Sequence, residues 1–567
     1  MPDQFALLDE FTDEPRTAYF SMEIALRSDI PTYAGGLGVL AGDVVRTAAD
    51  LELPLVAVTL VSRDGYFRQE IDGEGRQIEH ADAWNPAEHC RPLNAAVAIS
   101  IEGRPVWIFG WLFVASGSTG RTPVILLDTD LPTNLAEDRT ITRYLYGDDH
   151  AYRLKQEAVL GMGGMQMLQA LGFTINQYHM NEGHAALLGL SLLRAHRYPH
   201  SDLRPGESPY DLHRVRELCV FTTHTPVESG HDKFSYELVH QVLGDVLELP
   251  TLKALAGDQV LNMTMLALNL SDYVNGVAKR HAEVSEKLFP GFQVHAITNG
   301  VHPFTWACPS FAKLFDTYAP GWAHAPELLI RADTIPDGQV LSAHLEAKEQ
   351  LIAAVKSATN MALDRQLPII GYARRMTAYK RPELLFSDLE RLRRIARRYP
   401  FQIVLAGKAH PQDQPGKDLI KRLHDYAREL QGAVAVAFLP NYDMQSAATI
   451  VAGVDVWLNT PLPPLEASGT SGMKAALNGV PQLSVSDGWW VEGWIEGVTG
   501  WAIGEPSQSP ESHAQALYDK LEQSVLPCFY QDRAGWLRMM KSVIAKNAVS
   551  FNSHRMMRRY VTEAYRR

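Results

Sequence analysis

The sequence predicts an α/β chain built on two doubly wound parallel sheets, and three observations carry that expectation. Short apolar runs alternate with amphipathic helical stretches along most of the chain. Small-residue loops recur between a strand and the helix after it. Polar clusters lie just past the carboxyl ends of the predicted strands, where open α/β sheets bind ligands. Two such Rossmann-like units with facing carboxyl edges would enclose a cleft.

With 567 residues, 46% apolar and 21% charged, the chain is long enough for more than one core. A net charge of −12 and the lack of a basic tract with interleaved aromatics argue against a nucleic-acid partner. If the substrate is anionic, the positive charge that binds it must be local. Cys90, Cys219, Cys308 and Cys528 are far apart with no CxxC pair, which suggests neither a disulfide framework nor a zinc site. The N-terminus is acidic and no apolar run approaches the ~20 residues that span a bilayer, so no membrane partner is expected and a cytoplasmic protein is.

From the N-terminus, residues 17–22 read as a strand, 33–38 (YAGGLG) as a glycine loop, 39–51 as a helix and 53–61 as the next strand. The glycine loop is an anion cradle in the making, although tight packing explains it equally well. Residues 66–78, turning at Asp72-Gly73-Glu74-Gly75, and 95–113, turning at Glu102-Gly103, alternate as hairpins inserted into the α/β pattern. A strand at 124–127 and a helix at 151–171 follow. Strands at 177–180, 220–223 and 294–297 then lead into polar clusters containing His184, His224 and Asn299. Each of those histidines is as simply a packing residue as a catalytic one. His179, Glu182 and His184 lack a clean metal spacing, so no metal is expected.

Near residue 308 the character changes: 309–341 reads as irregular and Pro-rich, 343–363 as a long helix. Strands at 369–372, 403–406, 434–438, 454–458 and 482–485 then alternate with helices at 382–398, 416–430, 444–453 and 473–477. Residues 1–308 and 309–550 are expected to form the two domains, and the Arg- and aromatic-rich segment 551–567 to cross back to the first by analogy. Five clusters follow the C-terminal strands: Arg374, Arg375 and Lys380; Lys408; Asn441 and Tyr442; residues 466–474; and Asp487 with Gly488. All five should face one crevice.

The stretch 466–474, EASGTSGMK, is the centre of this pattern. Five small residues, Ser468, Gly469, Thr470, Ser471 and Gly472, precede a helix start whose free N–H groups and dipole favour an anion. Lys474 falls in the first turn, where a cation needs a neutralising anion or a covalent partner. A solvated surface lysine explains the stretch as well.

EASGTSGMK resembles the pyridoxal-phosphate site of the α-glucan phosphorylases, EASGTGNMK. NEGHAAL is similar to that family's NDTHPAL, TNGVHPFTW to TNGITPRRW, VNGVAKRHAEV to NGVAKIHSE, and GYARRMTAYKRP to a segment with VKRIHEYKR. The resemblance runs from Tyr19 to the Arg-rich end and implies the GT-B architecture of two facing domains. It implies pyridoxal 5′-phosphate held by Lys474 as a Schiff base, with Arg374 and the loop of Thr470, Ser471 and Gly472 at the cofactor phosphate. Arg375, Lys380 and the Gly36 N–H would bind the substrate phosphate, Glu466, Ser468 and Gly469 the sugar hydroxyls, and Asn299 and His184 the 6-hydroxyl. The implied reaction is reversible phosphorolysis of glycogen, starch or maltodextrin to α-D-glucose 1-phosphate with retention, in a homodimer. Inorganic phosphate would share a proton with the cofactor phosphate and protonate the glycosidic oxygen.

The chain departs from the pattern at Ala25, where a tyrosine contact to the cofactor is lost, at Val39 after GGLG, and in GTSGMK for GTGNMK. Little chain precedes Tyr19, so a short form without allosteric control is expected. Two rivals stand beside this reading. One is a nucleotide-sugar glucosyltransferase of the glycogen synthase type, which has no use for a Schiff-base lysine there. The other is a non-catalytic glucan-binding relative, which would not need the phosphate-site cations.

Overall fold

The computed structural model describes residues 6–147, 149–199, 201, 203, 207–505 and 509–565. The N-terminal part carries β1 (Arg16–Ser21), β2 (Leu55–Leu60), β3 (Arg68–Ile71), β4 (Gln77–His80), β5 (Arg91–Ile101), β6 (Arg104–Ser116) and β7 (Arg121–Asp128). After them come β8 (Ile175–Asn181), β9 (Cys219–Thr222), β10 (Lys233–Ser235), β11 (Val260–Asn262), β12 (Tyr273–Gly276) and β13 (His295–Ala296). The C-terminal part carries β14 (Ile369–Ala373), β15 (Gln402–Ala406), β16 (Ala435–Leu439), β17 (Val456–Asn459), β18 (Gln482–Val485) and β19 (Gly500–Ile503).

Two large sheets result, in the orders β13-β12-β9-β8-β1-β2-β7-β6-β5 and β16-β15-β14-β17-β18-β19. The second is parallel throughout. The first is parallel except at the edge where β5, β6 and β7 pair antiparallel. The expectation of a doubly wound α/β chain therefore holds, and each sheet has a point where strand order reverses. In the C-terminal sheet that point lies between β14 and β17, so the loops leaving these two strands open side by side. In the N-terminal sheet it lies between β1 and β8, paired as far as Ser21 with Asn181.

Several elements differ from the expectation, for local reasons. The helix expected at 382–398 is broken into a 3-10 turn, Pro382–Phe386, and a helix, Leu389–Arg398, because the Asp388 side chain caps the Arg391 N–H and starts a new helix. Residues 309–341 are not irregular. Pro309 opens a helix, Pro309–Tyr318, from the first-turn position that tolerates proline. The long helix runs over Asp337–Thr359 and stops at Asn360, whose φ is 58°. The helix expected at 151–171 holds a π-turn at Val159–Gly163. The hairpin around Glu102 and Gly103 is the β5–β6 edge of the main sheet, and β12 and β19 were not expected at all.

The strand read from 454–458 begins with a buried charge. Asp455 accepts hydrogen bonds from His344 Nε2 at 3.0 Å and from the Ile369 N–H at 2.8 Å, and pairs with Lys348 Nζ at 2.8 Å. Burial pushes the Asp455 carboxyl up, but Lys348 and His344 outweigh it and hold it at about 2. The arrangement joins the helix Asp337–Thr359 to β14 and β17. Asp455→Ala leaves the Lys348 ammonium buried without its carboxylate, so an equilibrium urea titration should show a loss of ~3–5 kcal/mol. A loss below ~1 kcal/mol, the size of a surface pair, would contradict this account.

Two sets of contacts hold the sheets together. The β3–β4 hairpin, read correctly from its turn, reaches across to the C-terminal sheet: Gln69 Nε2 donates to Gly407 O at 2.9 Å and Gln77 Nε2 to Ala409 O at 2.9 Å. On the other side the helix Ser553–Arg559 lies against the helix Gly36–Asp50, with Ser553 Oγ 2.5 Å from Thr47 Oγ1. Gly300 makes that crossing possible, because a Cβ there would fall 2.1 Å from Asn552 O. Asp50 Oδ2 takes both His302 Nε2 (2.7 Å) and His554 Nε2 (3.1 Å) beneath the same crossing.

Candidate active site

The loops leaving β14 and β17 meet because those strands are neighbours. Arg374 and Lys380, from the first, close on Glu466 from the second: Arg374 Nη2 lies 2.5 Å from Glu466 Oε2, and Lys380 Nζ lies 2.8 Å and 2.7 Å from its two oxygens. All three residues are buried. Burial alone would raise the Glu466 carboxyl; Arg374 and then Lys380 reverse that and hold it at about 2. Two cations assigned by resemblance to two phosphates thus share one carboxylate. Arg375 points elsewhere: it is exposed, and its charge reaches Tyr66 and Tyr146 of the N-terminal part.

Polar groups around this cluster lack partners. Arg374 Nη1, Ser468 Oγ and the indole N–H groups of Trp489 and Trp490 are buried with no hydrogen bond. With Glu466, Gly469, Gln482 and Asp487 they line one small cavity. Unpaired buried polar groups are costly, and with the equally unpaired acceptors Asn459 Oδ1 and Gln482 Oε1 in the same lining the cavity suits a ligand that offers both donors and acceptors. Gly469 needs to be glycine, since its φ is +85°. Gly472 lets the Gln482 amide approach, as a Cβ there would fall 1.6 Å from Gln482 Oε1.

The helix behind this loop is short, Ser471–Ala476, so the dipole contributes less than the sequence suggested. What surrounds Lys474 is burial. Its Nζ lies 3.9 Å from the centroid of the Trp306 ring and makes no hydrogen bond among the described residues. Burial lowers its pKa to about 8, with Asp43 opposing and Arg46 assisting the shift. The ring is held in place by Trp306 Nε1, which donates to Asp43 at 2.9 Å. Trp306, Asp43 and Arg46 were not singled out from the sequence. The signals were three charges, Asp43, Arg46 and Asp50, in the mostly apolar helix Gly36–Asp50, and the place of Trp306 at the end of TNGVHPFTW.

On the N-terminal sheet, Gly36 opens that helix and would meet nothing within 4 Å if it carried a Cβ. Beside it, Glu23 Oε2 accepts the N–H groups of Ala34 (2.6 Å) and Gly35 (3.1 Å), while Glu23 Oε1 accepts Tyr146 OH at 2.6 Å. The Tyr146 ring meets His184 edge-on, with centroids 5.9 Å apart. His184 Nε2 lies 3.5 Å from Asp232 Oδ2 and its Nδ1 is buried without a partner. Burial, helped by Arg153, lowers His184 to about 3, so the imidazole is neutral at pH 7. Asn299 is buried with Oδ1 unpaired, and no hydrogen bond joins it or His184 to the Glu466 cluster among the described residues. His224 Nε2 is tied to Asn181 Oδ1 at 2.6 Å. His179 is a packing residue between Tyr565 OH (2.6 Å) and Thr222 Oγ1 (2.8 Å).

Asp487, after β18, accepts the Glu466 N–H at 2.9 Å. Burial raises its carboxyl to about 6 against those backbone hydrogen bonds. The folded chain therefore holds a proton that an unfolded aspartate releases near pH ~4, so the stability it confers is complete below ~4 and is lost as pH rises through about 6. Asp487→Asn, which keeps an acceptor for the N–H, should remove this decline in melting temperatures recorded between roughly pH 4 and 7. Parallel profiles in wild type and variant would show that Asp487 is already ionised.

Two doubly wound sheets whose strand ends face one crevice, cationic on one side and glycine-lined on the other, have the architecture of the GT-B class of sugar-transferring enzymes. The profile described as carbohydrate phosphorylase matches residues 223–496. The chain is 41% identical over 598 aligned positions to a maltodextrin phosphorylase of Thermococcus litoralis, covering 98% of this chain and 70% of that protein. It is 35% identical over 618 positions to a glycogen phosphorylase of Aquifex aeolicus, covering 98% and 87%. A glycogen phosphorylase of Mycobacterium tuberculosis is 35% identical over 623 positions, covering 97% and 70%. The chain belongs to the carbohydrate phosphorylase family.

Proposed function

We propose that this chain is an α-1,4-glucan phosphorylase that cleaves non-reducing ends of glycogen, starch or maltodextrin with inorganic phosphate, giving α-D-glucose 1-phosphate. The observation that supports this best is Lys474: a buried amine against the Trp306 face, on the short helix that follows the loop of Glu466 and Ser468, where Arg374 Nη1 and Ser468 Oγ are buried without partners.

Pyridoxal 5′-phosphate fits those residues. Lys474, with its pKa lowered to about 8, retains a usable neutral fraction for covalent attachment, and Trp306 offers a flat face beside it. Arg374 Nη1 is an unpaired donor for the phosphate end, and the Thr470 and Ser471 N–H groups face no acceptor among the described residues. When bound, the group supplies a second phosphate as an acid–base partner for the substrate phosphate, the two having second pKa values near ~6.

The remaining chemistry belongs to the chain and its substrates. Arg375, Lys380 and the Gly36 N–H hold inorganic phosphate, which first has to draw Lys380 from Glu466. Phosphate gives its proton to the glycosidic oxygen, the bond from that oxygen to C1 breaks, and the shortened glucan leaves. A phosphate oxygen then bonds to C1 on the same face, so the α-configuration is retained. Proton transfer by a positioned acid is worth ~10²–10⁴ in rate. Glu466, Ser468 and Gly469 orient the sugar hydroxyls; neutral His184 accepts the 6-hydroxyl proton through its unpaired Nδ1, and the Asn299 amide donates to the oxygen of the same hydroxyl. Lys474 anchors and is not the base.

The same reading takes residues 1–308 as the glucan side, 309–550 as the cofactor side, and 551–567 as the tie between them. It places the enzyme in the cytoplasm as a homodimer; among the described residues no helix is long and apolar enough to cross a membrane. The test is release of α-D-glucose 1-phosphate from maltodextrin by cofactor-loaded protein. Product is expected only with phosphate present; no product with phosphate, together with lengthening of the maltodextrin by a nucleotide sugar, would sink the proposal.

A further inference from the structure

One donor beside Lys474 is left unused. Arg46, on the helix Gly36–Asp50, gives Nη2 to the carbonyls of Ala25 (2.8 Å) and Leu26 (2.7 Å). Its Nη1 is buried without a hydrogen-bond partner, and the nearest carboxylate atom, Asp43 Oδ1, stands 3.6 Å away. Asp43 is committed to Trp306 Nε1 and to the His302 N–H at 3.2 Å. The guanidinium is held by those two carbonyls and packs close to Gly42, where a Cβ would come within 2.9 Å of Nη1. Asp43 balances the charge at 3.6 Å but takes no hydrogen bond from Nη1, and a buried N–H left without an acceptor is unfavourable, so an acceptor is expected at that atom.

The chemistry of the group attached at Lys474 says which partner. The ring hydroxyl of pyridoxal is ortho to the carbon that joins the lysine, so its oxygen lies close to Nζ, while the ring nitrogen is para to that carbon and the phosphate is drawn to Arg374. Contacts run outward from Nζ: the Trp306 face at 3.9 Å, the Asp43 carboxylate that takes the Trp306 indole N–H at 2.9 Å, and the Arg46 guanidinium 3.6 Å from that carboxylate. Of these, the carboxylate repels an ionised ring oxygen and the guanidinium has an N–H free for it. Ala25, fully buried, presents no polar side-chain atom there.

We propose that Arg46 is a cofactor-binding residue whose Nη1 donates to the ring oxygen of the pyridoxal group at Lys474. The assignment rests on reading Lys474 as the cofactor anchor. A fixed cation beside that oxygen favours its ionised form, so Arg46 sets the absorption band of the bound cofactor as well as its affinity.

The test uses apo-protein of wild type, Arg46→Met and Arg46→Lys, titrated with pyridoxal 5′-phosphate and followed by absorbance, with melting curves of each apo form. Arg46→Met is expected to bind ~10- to 100-fold more weakly, the usual worth of a hydrogen bond to a charged group. Its band interconversion should move to higher pH. Arg46→Lys, which can still serve the two carbonyls, should fall between, and it carries the test if the methionine form does not fold. Wild-type affinity and an unchanged band in a folded variant would overturn the role of Arg46 alone. A wild-type protein that takes up no pyridoxal phosphate would overturn the reading of Lys474 with it.

Discussion

Lys474→Ala is expected to reduce phosphate-dependent release of α-D-glucose 1-phosphate to background, a loss of at least ~10²–10⁴, because the anchored phosphate that partners the substrate's acid is gone. The protein itself should remain folded. Removing an ammonium that burial already pushes down to about 8 and that makes no ion pair relieves a desolvation cost, while the lost aliphatic stem leaves a small void against Trp306. Melting temperature and activity should therefore separate: near-normal unfolding, no product, and no cofactor absorbance after gel filtration. A variant that keeps product formation at a tenth of wild type or more would remove Lys474 from the mechanism.

Glu466→Ala should have the largest effect on stability within the crevice. It leaves Arg374 and Lys380 buried together without their shared carboxylate, a loss of ~3–5 kcal/mol by analogy with other buried pairs broken on one side. Inorganic phosphate should then restore much of it, since an anion held at ~100 times its dissociation constant returns ~2.7 kcal/mol. The sign of the pH dependence follows from the depressed carboxyl. The contribution of Glu466 is present above the unfolded value near ~4 and lost as pH falls through about 2, so wild type and variant should converge in acid. Turnover should also fall, because a proposed acceptor for a sugar hydroxyl is removed, by ~10- to 100-fold. Equal stability in the two proteins at neutral pH, or no extra stabilisation of the variant by phosphate, would show that the two cations are not held by this carboxylate.

The strands were legible where short apolar runs stand between turns and helices, as in 403–406 and in 454–458 despite Asp455, because burial on both faces of a parallel sheet leaves no alternation to confuse with a helix. β12 and β19 were missed for the opposite reason. Each has four residues, one broken by Asn275 and Gly276 and the other opened by Gly500 at φ +146°, and their strand identity comes from pairing alone, β12 between β9 and β13 and β19 at the edge beside β18. The helix at 382–398 failed because its apolar spacing continues through Asp388, a cap whose effect on the chain is local geometry and not periodicity.

For the site, the sequence alone determined the residue types and their places at strand ends: Arg374, Arg375, Lys380, Glu466 and Lys474 all follow strands whose periodicity could be read. It also determined the small-residue loop, since glycine at 469 is required by a left-handed φ that other side chains rarely adopt. It did not determine which charges meet. Arg374 and Lys380 find Glu466 because β14 and β17 are neighbours at the reversal of strand order, and Lys474 finds Trp306, Asp43 and Arg46 because the chain crosses between the sheets near Gly300. Asp43 and Trp306 are 263 positions apart, and periodicity extends over one element only. Partners at that distance are chosen by the burial of whole sheet faces, an energy that no local stretch of residues carries.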